Sequence, residues 1–342
     1  MTPSLQPVHD RLQRPLQDLR LSVIDRCNFR CSYCMPAEVF GPDYAFLPQA
    51  QLMSVEEMQR LVRAMVELGV TKLRLTGGEP LLRRDIVEIV RSLAGVEGLE
   101  DIALTTNGIR LQRLAQNLRD AGLQRINVSL DALDPDLFKL MSGGRSGLRQ
   151  VLDGIDAAQG VGLEVKVNAV IEAGVNESEV LPLARYFRER GICLRFIEYM
   201  DTGNSNGWGE SKVVPSKVLR GWIDRERPLE PVPPQSPGEV ARRYRYRDSE
   251  VEVGFISSVS EPFCGNCVRA RVSAEGKLFT CLFASEGADV RYLLKEDVKH
   301  SERVEAFAAL WQRRKDRYSE LRSALIRRGE VHSKVEMSYI GG

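Results

Sequence analysis

Cys27, Cys31 and Cys34 stand as C-x3-C-x2-C directly after a run, Asp18 to Ile24, with apolar residues at 19, 21 and 23. Spacing this short on one loop at a strand end can aim three sulfurs at one centre. Three thiolates cover three irons of a [4Fe–4S] cube and leave the fourth open, which suits chemistry better than plain electron transfer. A zinc site asks for a nearby histidine or a fourth cysteine, and the loop has neither. Cys264, Cys267 and Cys281 form a second set, C-x2-C-x13-C, again with no partner histidine. It reads either as another cube with a free iron, here for substrate, or as a structural zinc module that takes its fourth ligand from elsewhere. The seventh cysteine, Cys193, falls inside a strand-like run and is expected to be a buried core thiol. The three histidines, His9, His300 and His332, lie far from the cysteines in sequence. That argues against His-rich zinc and mononuclear iron chemistry.

Two further groups carry chemistry. In Thr76-Gly77-Gly78-Glu79-Pro80 the glycines allow close backbone approach to a ligand, and the oxygens can receive an ammonium group. Alone this is an ordinary turn; beside the cysteine loop it gains weight. In Arg269-Ala270-Arg271 an extended segment puts both guanidinium groups on one face, a fork suited to a phosphate chain. Arg20, Lys72, Arg74 and Lys166 lie on strands expected to line an interior, where burial is costly without an anionic ligand. Arg-Arg-Tyr-Arg-Tyr-Arg at 242–247 reads as an exposed hairpin face rather than a nucleic-acid site.

The elements that must position these groups follow a βα rhythm. Strands are expected at Asp18–Ile24, Lys72–Leu75, Asp101–Thr105, Arg125–Leu130, Glu164–Val170 and Cys193–Ile197. Helical patterns separate them, beginning at Ser54–Leu68, where Ser54 and Glu57 form a capping-box pattern. Helix-length crossovers imply parallel, right-handed connections, hence a barrel or partial barrel with its working loops at the C-terminal strand ends. Pro228 to Gly238, with five prolines, is expected to be a linker or long loop. A hairpin near 243–255, helices at Asp289–Leu294 and Glu302–Arg328, and an irregular tail from Ser338 to Gly342 complete a small cysteine-bearing module. The expected division is 16–227 for the barrel and 239–342 for the module.

The 342 residues carry 48 Lys plus Arg against 47 Asp plus Glu, a net charge of +1. That balance argues against a general nucleic-acid coat or an anionic-membrane binder. No apolar run approaches the roughly 18 residues of a membrane span, and Met1 to Leu19 lacks a signal-peptide layout. An odd cysteine count without a secretion signal speaks against a full disulfide framework, so a cytoplasmic location is expected.

Cys27-Asn28-Phe29-Arg30-Cys31-Ser32-Tyr33-Cys34-Met35-Pro36 resembles the signature of the radical S-adenosylmethionine superfamily, and Thr76 to Pro80 resembles its Gly-Gly-Glu-Pro motif. From about Leu16 to Gly342 the chain further resembles the GTP 3′,8-cyclases of molybdenum-cofactor biosynthesis. The carriers are Asp25 to Cys31, Leu75 to Leu82, Arg195 to Met200, Phe263 to Arg271 and Ile340-Gly341-Gly342. The first fifteen residues and the Pro-rich stretch carry none of it.

The resemblance implies an α/β fold: a partial (β/α)6 TIM-like barrel with a C-terminal iron–sulfur module and terminal helices. It implies two [4Fe–4S] clusters, on Cys27, Cys31 and Cys34 and on Cys264, Cys267 and Cys281. S-adenosylmethionine would contact Tyr33, Gly78, Ser129 and Met200. GTP would contact Arg20, Lys72, Arg74, Thr105, Lys166, Arg269, Ala270 and Arg271, with Arg269, Arg271, Gly341 and Gly342 the catalytic set. The implied activity is a lyase: a 5′-deoxyadenosyl radical takes hydrogen from ribose C3′, and the product is (8S)-3′,8-cyclo-7,8-dihydroguanosine 5′-triphosphate, the first step toward molybdopterin. A reducing electron donor, a downstream pyranopterin-forming enzyme and a homodimer are the implied partners. The competing readings are a peptide- or RNA-modifying radical enzyme and a non-catalytic iron–sulfur carrier. The arginine pair and the Gly-Gly tail favour a nucleotide.

Overall fold

The computed structural model describes residues 7–236, 238–330 and 333–341. Six parallel strands in chain order form its centre: β1 (Asp18–Ser22), β2 (Lys72–Thr76), β3 (Asp101–Thr106), β4 (Arg125–Ser129), β5 (Glu164–Ile171) and β6 (Cys193–Glu198). Each crossover holds at least one helix. In the first, Val55–Glu67, the Ser54 hydroxyl accepts from the Glu57 amide while the Glu57 side chain accepts from the Ser54 amide, so the capping box is formed. Met58, Leu61, Val62 and Met65 turn from that helix to the sheet and are buried.

Alternation along the strands sorts charge from apolar bulk. Leu19, Leu21 and Leu75 face the helices and are 0% exposed, which leaves Arg20 and Arg74 on the opposite, concave face. Register then aligns the cations: Arg20 stands opposite Arg74 on one side and Arg271 on the other, while Asp18 stands opposite Lys72 and Arg269.

The C-terminal half extends this sheet at both edges. β7 (Leu229–Val232), β8 (Arg242–Tyr246) and β9 (Glu252–Ile256) join through β9, parallel to β6. β10 (Arg269–Val272), β11 (Lys277–Phe279) and β12 (Ala288–Asp289) join through β10, parallel to β1. The 12-stranded sheet therefore runs from β12 to β7 and leaves two ends, a partial barrel. Among the described residues no helix is long and apolar enough to cross a membrane.

Three expectations need correction. The Pro-rich stretch contains β7; Pro231 is tolerated there because β7 is the sheet edge, where a missing N–H breaks no inner ladder. The helical run 302–328 divides into His300–Gln312 and Tyr318–Arg327, because Arg314 and Asp316 leave the helix to meet the second cysteine group. The tail is not wholly irregular: Met337–Ile340 is a short helix, with Ile340 0% exposed. Gly342 lies outside the described residues.

Candidate active site

The first cysteine loop leaves β1 and is held by its own arginine. Arg30 donates through Nε to the Phe40 carbonyl at 2.6 Å and through Nη1 to the Cys27 and Phe29 carbonyls at 2.9 and 2.7 Å. Cys27 Sγ accepts from the Phe29 amide at 3.4 Å and Asn107 Nδ2 at 3.9 Å. Burial raises all three thiols, Cys27 to about 11, with Glu79 adding to the effect on Cys27 and neighbouring thiolates on Cys31 and Cys34. Thiols held so far up are at home only when a metal takes the proton's place.

The glycine turn after β2 docks this loop. A Cβ on Gly77, at φ 142°, would strike the Ile24 carbonyl, and one on Gly78 would strike the Arg26 carbonyl. The glycines thus fit the turn against the cysteine loop rather than against open space. Glu79 is 2% exposed, and its oxygens accept from Thr106 Oγ1, the Asn107 amide and the Leu81 amide at 2.7, 2.7 and 2.9 Å. Those oxygens are therefore occupied within the protein, and burial pushes the carboxyl above the usual range.

Behind the loop opens a cavity of about 540 Å³. Tyr33, Ser129 and Met200 line it near the first cysteines, where Tyr33 donates to Asp131 at 2.8 Å. Burial raises the Asp131 carboxyl to about 6. Cys264, Cys267 and Cys281 line the other end. Between them lie Arg20, Lys72, Arg74, Thr105, Lys166, Arg269 and Arg271. The structure brings these residues to one wall, although they come from β1, β2, β3, β5 and β10.

Arg20 Nε, Arg74 Nε and Thr105 Oγ1 are buried without a hydrogen-bond partner. Among the described residues no carboxylate lies within 4.0 Å of the guanidinium groups of Arg20, Arg74, Arg195, Arg269 or Arg271. Burial, then Arg271 and Arg74, lowers Arg20 well below its usual value. Burial and Arg269 bring Arg271 to about 10. The two lysines are already engaged: Lys72 donates to Ser236 at 3.0 Å and Lys166 pairs with Glu164 at 2.8 Å.

The second cysteine group is cationic. Cys267 Sγ accepts from Arg314 Nη2 at 3.0 Å and from Arg269 Nη2 at 3.4 Å. Burial pushes this thiol up, but Arg269 and Arg314 pull it down harder, to about 6. Cys281 has no such neighbour against its sulfur and is pushed by burial to about 12. Among the described residues no three side chains close on one point as ligands of a single metal ion. In a cube each thiolate takes its own iron, so the two all-thiol sets suit iron–sulfur cubes better than a lone zinc.

The tail reaches the same wall. Gly341, at φ 77°, gives its carbonyl to Arg271 Nη1, and a Cβ there would strike Thr76. Three placements depart from expectation. Ala270 is 1% exposed and opposite Leu19, so its side chain belongs to the core and not to the cavity. Gly78 packs on the cysteine loop. Cys193 is not a core thiol: it is half-buried and lines the cavity on the same strand face as Arg195, where the i, i+2 relation to that arginine was the signal. Arg195 itself was missed as a site residue. It donates to Asn168 Oδ1 at 2.9 Å and to Asn127 Oδ1, and burial and Arg74 lower it to about 10.

The barrel and its cysteine loop define a class. Residues 21–187 match the Radical SAM superfamily model, and residues 192–320 match the Molybdenum Cofactor Synthesis C model. The crystal structure of Streptococcus suis SuiB bound to S-adenosylmethionine shares the fold, with a TM-score of 0.60 at 13% identity over 84% of this chain and 68% of that one. The chain is a radical S-adenosylmethionine enzyme. The curated GTP 3′,8-cyclases of Staphylococcus aureus strains JH9 and Newman are each 48% identical to it over 339 residues, 99% of this chain and 100% of the relative. The chain belongs to the GTP 3′,8-cyclase family, and is a lyase.

Proposed function

We propose that the cavity holds GTP between the two cysteine groups, and that the chain cyclises it as the first step of molybdenum-cofactor biosynthesis. The supporting observation is the set of buried arginines with no carboxylate in reach. Several desolvated cations on one wall are mutually repulsive, and a bound triphosphate supplies the missing negative charge. Arg20, Arg74, Arg195, Arg269 and Arg271 would take its oxygens, with Thr105 donating its free hydroxyl and Lys166 and Lys72 at the rim. With a reduced cluster, S-adenosylmethionine supplies a 5′-deoxyadenosyl radical that removes a hydrogen atom from ribose C3′.

The chain's own residues do the rest. Cys27, Cys31 and Cys34 leave one iron of the first cube open for the amino and carboxylate groups of S-adenosylmethionine, with Tyr33, Ser129 and Met200 beside it. Gly78 acts by docking the cluster loop. Cys264, Cys267 and Cys281 leave an iron open toward guanine. Arg271 holds Gly341, which stops the wall at Thr76 and keeps solvent from the reacting sugar; Gly342 continues toward the substrate. The division at 16–227 and 239–342 separates these two tasks. A reducing donor and a pyranopterin-forming enzyme are the partners this chemistry calls for, a homodimer and a cytoplasmic setting accompany the reading, and no membrane or nucleic-acid polymer enters it.

The test is anaerobic turnover. Reduced protein with S-adenosylmethionine and GTP is expected to give 5′-deoxyadenosine and a cyclised nucleotide in equal amounts. Product from a peptide, and none from GTP, would overturn the reading.

A further inference from the structure

Residues 7–16 carry no motif, yet they run into the second cysteine group. Asp10 Oδ2 accepts from Arg14 Nε at 2.6 Å and from Arg314 Nη1 at 3.3 Å, and all three side chains are no more than 2% exposed. Asp10 Oδ1 meanwhile accepts from the Leu12 and Arg14 amides at 2.8 and 2.9 Å, which fixes the carboxylate in its turn. From this anchor Arg14 donates to the Cys264 carbonyl at 2.7 Å. Arg314 donates to the Cys267 carbonyl at 2.7 Å and, through Nη2, to Cys267 Sγ at 3.0 Å. Trp311 supports it from below, with the guanidinium 4.4 Å from the ring centroid. Asp316 stands 3.6 Å from Arg314 Nε but accepts from Thr280 at 2.6 Å.

We infer that Arg314, held by Asp10, is a positioning residue for the second cluster: it donates to the Cys267 thiolate and raises the reduction potential of the cube that thiolate binds. Reduction adds one electron and no proton to a cube. An N–H···S donor stabilises the more negative state and so favours reduction, and hydrogen bonds to cluster sulfurs are among the determinants of potential. The first group lacks this device; its sulfur contacts are amide N–H groups from Phe29 and Asn107. The inference rests on the two-cluster reading above.

The experiment is a dithionite titration of the anaerobically reconstituted full chain followed by electron paramagnetic resonance, with iron counted first. Cys264→Ser identifies which signal belongs to the second cluster. Arg314→Gln is expected to lower that midpoint and leave the other where it was, and Arg314→Lys to lower it less. Asp10→Asn separates the mechanisms. Losing a negative charge through space alone raises the midpoint, whereas losing the anchor that aims Arg314 lowers it, and lowering is expected. An unchanged midpoint in Arg314→Gln at full iron content overturns the proposal, as does a raised midpoint in Asp10→Asn. If Arg314→Gln drops its second cluster, Arg314→Lys must still show the shift, and its absence there counts equally against it. About four irons in the unaltered chain instead of about eight removes the two-cluster reading first, and this inference with it.

Discussion

The two cysteine groups use the same ligand count but different surroundings. The first is a local device: C-x3-C-x2-C on one loop, clasped by Arg30 to its own carbonyls, with neutral amides on Cys27. The second is assembled from afar: Cys264 and Cys267 precede β10, Cys281 follows β11, and the arginines on it come from residues 14, 269 and 314. A neutral frame suits a centre that must deliver an electron to a sulfonium, and a cationic frame suits one that stands beside a polyphosphate. The contrast teaches that donor spacing sets the cluster, while the neighbouring charge sets what the cluster is for.

Removing one ligand from each group breaks the comparison most sharply. Cys27→Ser is expected to abolish both 5′-deoxyadenosine formation and cyclisation. Cys264→Ser should abolish cyclisation and spare reductive cleavage, as chromatography of the two products will show. Equal loss of both products in the two variants would mean the second group is only structural support for the first.

A smaller effect belongs to the cationic wall. Arg74→Ala removes a charged donor worth about 1.5–3 kcal/mol, so KM for GTP should rise roughly ten- to a hundredfold. Cleavage of S-adenosylmethionine without GTP should be unaffected. An unchanged KM would sever the wall from the substrate.

Gly341→Ala tests whether the tail matters at this wall. An alanine at φ 77° costs about 1–2 kcal/mol and meets Thr76 besides. Turnover should fall severalfold with iron content and melting temperature held. Lys72→Met should show least, a rise in KM well below that of Arg74→Ala, because Lys72 already donates to Ser236. Equal effects from the two would place Lys72 among the principal contacts.

Much of this site was legible because it is local. The cysteine spacing, the Gly-Gly turn, the i, i+2 arginines and the strand alternation that turns Arg20 and Arg74 inward all follow from a few adjacent residues. Cys193 shows the limit. It was assigned to the core by residue type, although its parity with Arg195 already put it on the cavity face. Glu79 shows another: a carboxylate beside two glycines looked open to a ligand, and only its three internal donors reveal that it braces β3.

By itself, then, the sequence determined the ligand sets, the parallel βα order and which strand positions carry charge, since each depends on spacing along one element. Tertiary structure decided which charges meet. β10 joins the sheet beside β1, which sets Arg271 in line with Arg20 and Arg74. It also decided that a motif-free N-terminus, through Asp10 and Arg14, braces the second cysteine group. Contacts between residues some 250 or 300 positions apart leave no local period or spacing to read, because they are fixed by strand register and by the need to pair buried charge.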